Sequence, residues 1–306
     1  MAFKNLEPFK AGLPQVLKMM LTTRRAGWPK WVEYPQGPKP PQRVNGSALR
    51  LTYINHATVL VQTGGLNILT DPHYSKRCSP VQWAGPARVH APAIAFEDLP
   101  PIDFILLSHN HYDHMDMGTL ERLLAAHPCK IVTGLKTGDY LRPELRSRVI
   151  ELDWWQSAPL NASAKVHFVP VQHFSARGIG DRFRSLWGGF VLEGDAGRIY
   201  FPGDSAYGGH FRLTRERLGP MRMALMPIGA YEPRWFMKEV HMVPEESVQA
   251  FLDLQCEFAL GIHWGCFQLT EEPILEPVER LIAARGAAGI APERFRVLDP
   301  GQSWEL

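Results

Sequence analysis

Between residues 108 and 114 the chain reads Ser-His-Asn-His-Tyr-Asp-His. The imidazoles of His109, His111 and His114 and the carboxylate of Asp113 thus fall within six residues. Neutral imidazole and carboxylate are the ligands that borderline divalent cations such as zinc favour. In an extended segment, residues i and i+2 project to the same side, so His109 and His111 can grip one ion from a strand end. A turn into a helix beginning near Met117 carries Asp113 and His114 to a neighbouring position.

Further donors follow apolar runs of strand length. His173 ends FVPVQH, Asp204 lies in FPGDS, and His263 follows Ala259–Ile262 in ALGIHW. Loops beyond strand ends on one edge of a sheet are where sites are built. Seven donors exceed one tetrahedral zinc and suit two ions about 3.5–4 Å apart. The spacing predicts His109, His111 and His173 on the first ion, and Asp113, His114 and His263 on the second. Asp204 is the expected bridge, because a carboxylate offers two oxygen donors and an imidazole does not. Asp71, before Pro72, either holds a ligand imidazole from behind or caps a turn. Asp116 has the same two readings, as a support or as a helix cap near Thr119.

These donors require strands to carry them. From Leu49 the pattern is β: Thr58–Thr63 and Leu66–Thr70 flank Gly64-Gly65, a tight hairpin signature. Later strand candidates are 104–107, 130–133, 166–171, 187–192, 198–201, 224–226, 259–262 and 295–298. Helices are expected over 119–126, 244–254 and 276–285. Hairpins followed by alternating strands and helices imply an α/β layered domain with a mixed sheet. Residues 1–45 differ. Phe9, Leu13, Val16, Leu17, Met20 and Leu21 recur at helical spacing beside Lys10, Lys18, Arg24 and Arg25, ahead of a Pro/Trp-rich stretch at 28–41. Such a basic amphipathic helix lies either on a membrane surface or on its own domain. The expected division is an N-terminal extension, 1–45, and a hydrolase domain, 46–306.

Composition bounds the function. Of 306 residues, 45% are hydrophobic and 21% charged, which excludes a disordered or coiled-coil chain. Lys+Arg 33 against Asp+Glu 31 leaves a net charge of +2, so no nucleic-acid partner is expected. Twelve histidines stand beside four cysteines without a C-x-x-C pair, so metal binding falls to histidine and carboxylate. No apolar run approaches the roughly 18 residues of a membrane span. The stretch Ala11–Leu21 holds Pro14 and Lys18 and lacks a following cleavage site, unlike a signal peptide. The expected location is the cytoplasm, with peripheral membrane contact through the N-terminal segment as an option.

The run His109–His114 resembles the H-x-H-x-D-H signature of the metallo-β-lactamase superfamily. NHATVLVQ, LTDP, SPVQWAGPARV, LPPID, SHNHYDHMD, ELDWW, FPGDSAY, MPIGAYEPRWFMKEVHMVPEE and IHWGCF are similar to one branch of it, the N-acylphosphatidylethanolamine-hydrolysing phospholipase D family and its bacterial relatives. The resemblance implies a four-layer αββα sandwich with a dinuclear zinc site, manganese or iron being the alternatives. It implies hydrolysis of a phospholipid or other small phosphodiester by a hydroxide bridging the ions. A lactonase or small-molecule phosphodiesterase on the same site is the alternative. Asp113, Asp204 and His241 are the catalytic candidates, and Tyr112, Tyr207 and His241 the substrate-binding ones. Asn55 departs from the Gly that many members carry before His-Ala-Thr, and Ser205 from a common Thr.

Overall fold

A computed structural model describes residues 2–8, 12–178 and 180–306 of the chain. Phe9 and Lys10 of the expected N-terminal helix lie outside the described residues, as do the side chains of Leu13, Val16 and Met20. The helix itself is α1 (Leu13–Thr22), with Pro14 in its first turn, where an N–H has no helical partner in any case.

Three strands, β1 (Leu49–Asn55), β2 (Thr58–Thr63) and β3 (Leu66–Thr70), form an antiparallel meander. Gly64 and Gly65 close its second hairpin at φ 56° and 74°, so that Thr63 pairs with Leu66. A two-residue turn of this type needs positive φ at both positions. β4 (Phe104–Leu107), β5 (Lys130–Gly134) and β6 (Val149–Leu152) extend the sheet in parallel, with α2 (Met117–Ala126) between β4 and β5. The second sheet begins with β7 (Ser157–Pro159), β8 (Lys165–Val169), β9 (Gly189–Gly194) and β10 (Gly197–Phe201). Then come α3 (His210–Leu218), β11 (Met223–Pro227), the short α4 (Arg234–Met237), α5 (Pro244–Asp253), β12 (Phe258–Ile262), α6 (Glu276–Ala287) and β13 (Phe295–Val297). β14 (Ser303–Glu305) returns to the first sheet and covers the free edge of β1. The strand orders are 14-1-2-3-4-5-6 and 13-12-11-10-9-8-7.

Alternation along the strands builds the layers. Tyr53, Val59, Val61, Ile68 and Leu106 face the second sheet and join Phe168, Phe190, Tyr200 and Leu225 in one core. Their neighbours Ile54, Leu60, Leu69 and Ile105 face the other way and pack on Leu120, Leu123 and Leu124 of α2. Both faces of these strands are buried, so they read as near-continuous apolar runs. On the second sheet, Val248 and Phe251 of α5 and Leu281 of α6 close the outer face. The result is the expected αββα sandwich.

Strand direction decides where the site lies. In the first sheet β1, β3 and β4 run the same way, because β2 is antiparallel to both β1 and β3. In the second, β8, β10, β11 and β12 run together by the same reasoning about β9. The carboxyl ends of all but β11 lead into His56, Asp71, His109, His173, Asp204 and His263. The sheets are tied at that edge by Gly188 N to Ser108 O (3.1 Å) and His263 N to His56 O (2.8 Å).

Three strands and one long helix differ from the sequence expectation. β6, β7 and β14 lie at or near sheet ends and span three or four residues each, too short for a pattern to show. α3 buries only His210, Phe211 and Thr214 among its described side chains, so its sequence carries no apolar stripe.

Buried histidines away from the donor cluster set an acid limit on stability. Burial pushes His73 and His90 down to about 4 and His210 down to about 3. Their unfolded forms take up a proton near pH 6.5, so acidification below that value favours the unfolded chain. Each contributes up to about 1.4 kcal/mol per pH unit in that window. The metal-free protein is expected to melt at clearly lower temperature at pH 5 than at pH 6.5, read by calorimetry. An unchanged Tm would contradict it.

Candidate metal centre

β4 delivers Ser108 and His109, and the loop to α2 supplies His111, Asp113 and His114 before Asp116 caps that helix by accepting from Thr119 N. His109 Nε2 lies 2.9 Å from His111 Nδ1, which lies 3.2 Å from His173 Nε2. On the other side His114 Nε2 lies 3.2 Å from His263 Nε2 and 3.3 Å from Asp113 Oδ2. Asp204 stands between the groups. Its Oδ2 is 3.1 Å from His114, 3.8 Å from His173 and 4.0 Å from His109, and its Oδ1 is 3.1 Å from His263. The structure therefore brings all seven sequence-predicted donors together, in two groups flanking one carboxylate.

The chemistry of these donors fits a pair of cations. His173 Nδ1–H donates to the carbonyl of Val240 (2.9 Å), which can only accept, so the Nε2 lone pair faces the group. Ser108 Oγ–H donates to Asp71 Oδ2 (2.6 Å) and accepts from His109 Nδ1–H (2.8 Å), which turns the His109 Nε2 lone pair inward as well. His114 Nδ1–H donates to Asp71 Oδ2 (2.6 Å), so its Nε2 faces Asp113 and Asp204. Despite its burial, the charges of Asp204, Asp113 and Asp71 hold the ring's pKa well above the usual range, as a cation's place between two carboxylates requires. Converging lone pairs repel unless a cation or proton sits among them. Nitrogens on a zinc ion at 2.0–2.1 Å stand about 3.3 Å apart in a tetrahedron, close to the separations seen.

Electrostatics reinforce the arrangement. Burial alone would raise the Asp204 carboxyl, but the charge of His114, His263 and His241 outweighs it and holds the group well below the usual range. Burial pushes His111 down to about 3 and His173 down to about 4, so both present neutral nitrogens.

Backbone strain collects at the same edge. His56, Asp71 and His263 adopt φ of 41°, 30° and 61°. Left-handed backbone at a non-glycine residue costs roughly 1–3 kcal/mol and persists where the surroundings impose it. Gly203, at φ 63°, has no alternative, since a Cβ there would lie 2.3 Å from Ser108 Cβ. Arg177 braces the donor loop by donating to Asn110 O (2.9 Å) and Met115 O (2.8 Å).

His241 lies in the bend between α4 and α5, buried, with its ring 5.2 Å from His173 and its Nδ1 3.9 Å from Asp204 Oδ2. Arg234 fixes that bend by donating to His241 O (2.7 Å) and pairing with both oxygens of Glu246. Tyr112 lies beside the donors, half-buried, and its hydroxyl donates to Arg177 O (2.8 Å). Tyr207 lies in the stretch between Asp204 and α3. Its hydroxyl donates to Asp253 Oδ2 (2.6 Å) at the end of α5 remote from His241, about 14 Å along the helix axis.

Sequence reasoning missed His56. In the β1–β2 turn its Nε2 meets Asp113 Oδ2 at 3.0 Å, and its ring lies 4.0 Å from that of His263. Its position in the turn after β1, inside NHATVLVQ, was the available signal.

Residues 66–264 match the sequence profile of the family described as "Beta-lactamase superfamily domain". The chain belongs to that superfamily. It is 36% identical over 271 residues to N-acyl-phosphatidylethanolamine-hydrolyzing phospholipase D 1 of Caenorhabditis elegans, covering 85% of this chain and 76% of that protein. It is 34% identical over 238 residues to the mitochondrial enzyme of that name from Saccharomyces cerevisiae, covering 75% of this chain and half of that protein. In structure it resembles Igni18, a metallo hydrolase of Ignicoccus hospitalis, with TM-score 0.63, 20% identity, and 85% and 98% of the two chains covered. The protein is thus a metallo-hydrolase of the beta-lactamase superfamily. No helix among the described residues is long and apolar enough to cross a membrane.

Asp71 orients His114 directly and His109 through Ser108, so one carboxylate governs donors of both groups. Its other oxygen accepts from Ser108 N (2.8 Å), so Asp71→Asn must point an N–H at Ser108 N–H, at Ser108 Oγ–H or at His114 Nδ1–H. Loss of such a supporting partner lowers metal affinity by about 10–100-fold. Competition with a chromophoric chelator is expected to show weakened metal binding. Wild-type affinity in this variant would reduce Asp71 to a turn residue.

Proposed function

We propose that this hydrolase is a two-zinc phosphodiesterase of phospholipase D type that cleaves N-acylphosphatidylethanolamine-like phospholipids. The observation that carries the reading is the pair of donor groups flanking Asp204. The 36% identity to the Caenorhabditis elegans enzyme supports the substrate class. Manganese or iron would suit the same nitrogen and oxygen donors.

Bound there, two dications supply water of lowered pKa and offset the negative charge of a phosphodiester. The chain's own contribution is order. His109, His111 and His173 would hold one ion and Asp113, His114 and His263 the other, with Asp204 between the two groups. Its low carboxyl pKa keeps Asp204 ionised. His241 faces Asp204 from the α4–α5 bend, placed to contact a phosphate oxygen or to hand a proton to the leaving alcohol.

A lipid substrate requires contact with a lipid surface. Leu17 and Leu21 of α1 are 52% and 86% exposed, and Lys18 of the same helix lies 4.6 Å over the ring of Trp235 in α4. α4 leads directly into His241, whose N–H donates to Met237 O (2.8 Å). This exposed apolar and basic edge beside the site supports peripheral membrane contact through the N-terminal segment.

Metal-replete protein is expected to release phosphatidic acid from vesicles containing N-acylphosphatidylethanolamine and to cleave an aryl phosphodiester. Asp204→Ala should lose metal and activity together. His241→Gln should keep its metal and lose about 10²–10⁴-fold in kcat, the usual weight of a proton-transfer group. Failure of metal-replete wild type to turn over either substrate would contradict the proposal.

A further inference from the structure

Residues 2–8 precede the part of the chain that matches the superfamily profile, 66–264, yet they dock on the metal centre. Phe3 N donates to Phe183 O (2.8 Å), Gln172 Nε2 to Glu7 O (3.4 Å), and Gly209 N to Glu7 Oε1 (3.1 Å). The central contact is made by Asn5. Its Nδ2 donates to His173 O (2.7 Å), and its Oδ1 accepts from His173 N (3.2 Å) and from Trp187 Nε1 (3.2 Å).

His173 needs such a partner. β8 ends at Val169, and the backbone beyond it has left the sheet, apart from an isolated bridge between Gln172 and Ala206. His173 is 1% exposed, so its N–H and C=O are beyond the reach of solvent. A buried peptide group left unpaired costs about 1–3 kcal/mol, enough to shift the segment. A carboxamide carries one acceptor and two donors, and Asn5 uses them on both backbone groups of His173 as a neighbouring strand would. Asn5 holds the backbone and Val240 O holds Nδ1, so the direction of the Nε2 lone pair is fixed from two sides.

We propose that Asn5 is a positioning residue for His173, and that the N-terminal segment is thereby an integral part of the metal centre. It sets the affinity for the ion held by His109, His111 and His173, and leaves the other ion unaffected. The proposal rests on the two-ion reading above. It distinguishes this chain's N-terminus from a detachable extension.

Cadmium-113 NMR of the 306-residue chain separates bound ions by their ligands and reads the centre without turnover. Wild type is expected to show two resonances of equal intensity. Asn5→Ala removes both clasp bonds and should shift or broaden one resonance, with that ion bound at least about 10-fold more weakly. Asn5→Ser, which can restore only one of the bonds, should fall between the two and replaces the alanine variant if that protein does not fold. Two resonances at wild-type positions and affinities in either variant would overturn the proposal. Equal weakening of both ions would also overturn it, because Asn5 would then act on the fold at large. Fewer than two resonances in wild type would instead refute the two-ion reading, a result visible before any variant is made.

Discussion

Nε2 of His109 and Nε2 of His173 lie 2.9 and 3.2 Å from His111 Nδ1, and Nε2 of His114 faces two buried carboxylates. In water such an arrangement would relax by turning the rings outward. Here the rings of His109, His173 and His114 are held from behind, by Ser108, Val240 and Asp71, so their Nε2 atoms stay pointed at a common space. Only positive charge in that space relieves the repulsion. The strained backbone at His56, Asp71 and His263 and the enforced glycine at 203 are what the fold accepts to keep this geometry.

The sandwich supplies the geometry through direction rather than through any single contact. Strands of the two sheets that run the same way end on one edge, and β1, β3, β4, β8, β10 and β12 each contribute one or two polar residues just past their last apolar positions. The core between the sheets fixes how far apart those ends lie. Asp71 then couples the groups, because it supports His109 through Ser108 and His114 directly. The N-terminal segment adds a support that the strands cannot provide, on the stretch of backbone where His173 has left the sheet.

What could be read in the sequence follows from how local each signal is. The donors at 109, 111, 113 and 114 are adjacent, and the strand ahead of them is apolar throughout, so type and spacing suffice. His173, Asp204 and His263 each follow a legible strand, and strand ends are where donors belong. His56 escaped because its role appears only when the β1–β2 turn folds back against Asp113. Asn5 escaped for a stronger reason, since its partner lies 168 residues away and no pattern links them. The Tyr207 hydroxyl bonds Asp253, a partner that nearness in sequence to Asp204 does not show. Short edge strands such as β7 and β14 exist through their pairing and carry no periodicity of their own.

The central claim is that two cations occupy the space defined by these donors, one on each side of Asp204. Anomalous diffraction from crystals of zinc-loaded protein tests it most directly, because it locates ions independently of activity. The account predicts two peaks about 3.5–4 Å apart, one among His109, His111 and His173 and one among Asp113, His114 and His263. A single peak, or zinc bound only outside these groups, would contradict it.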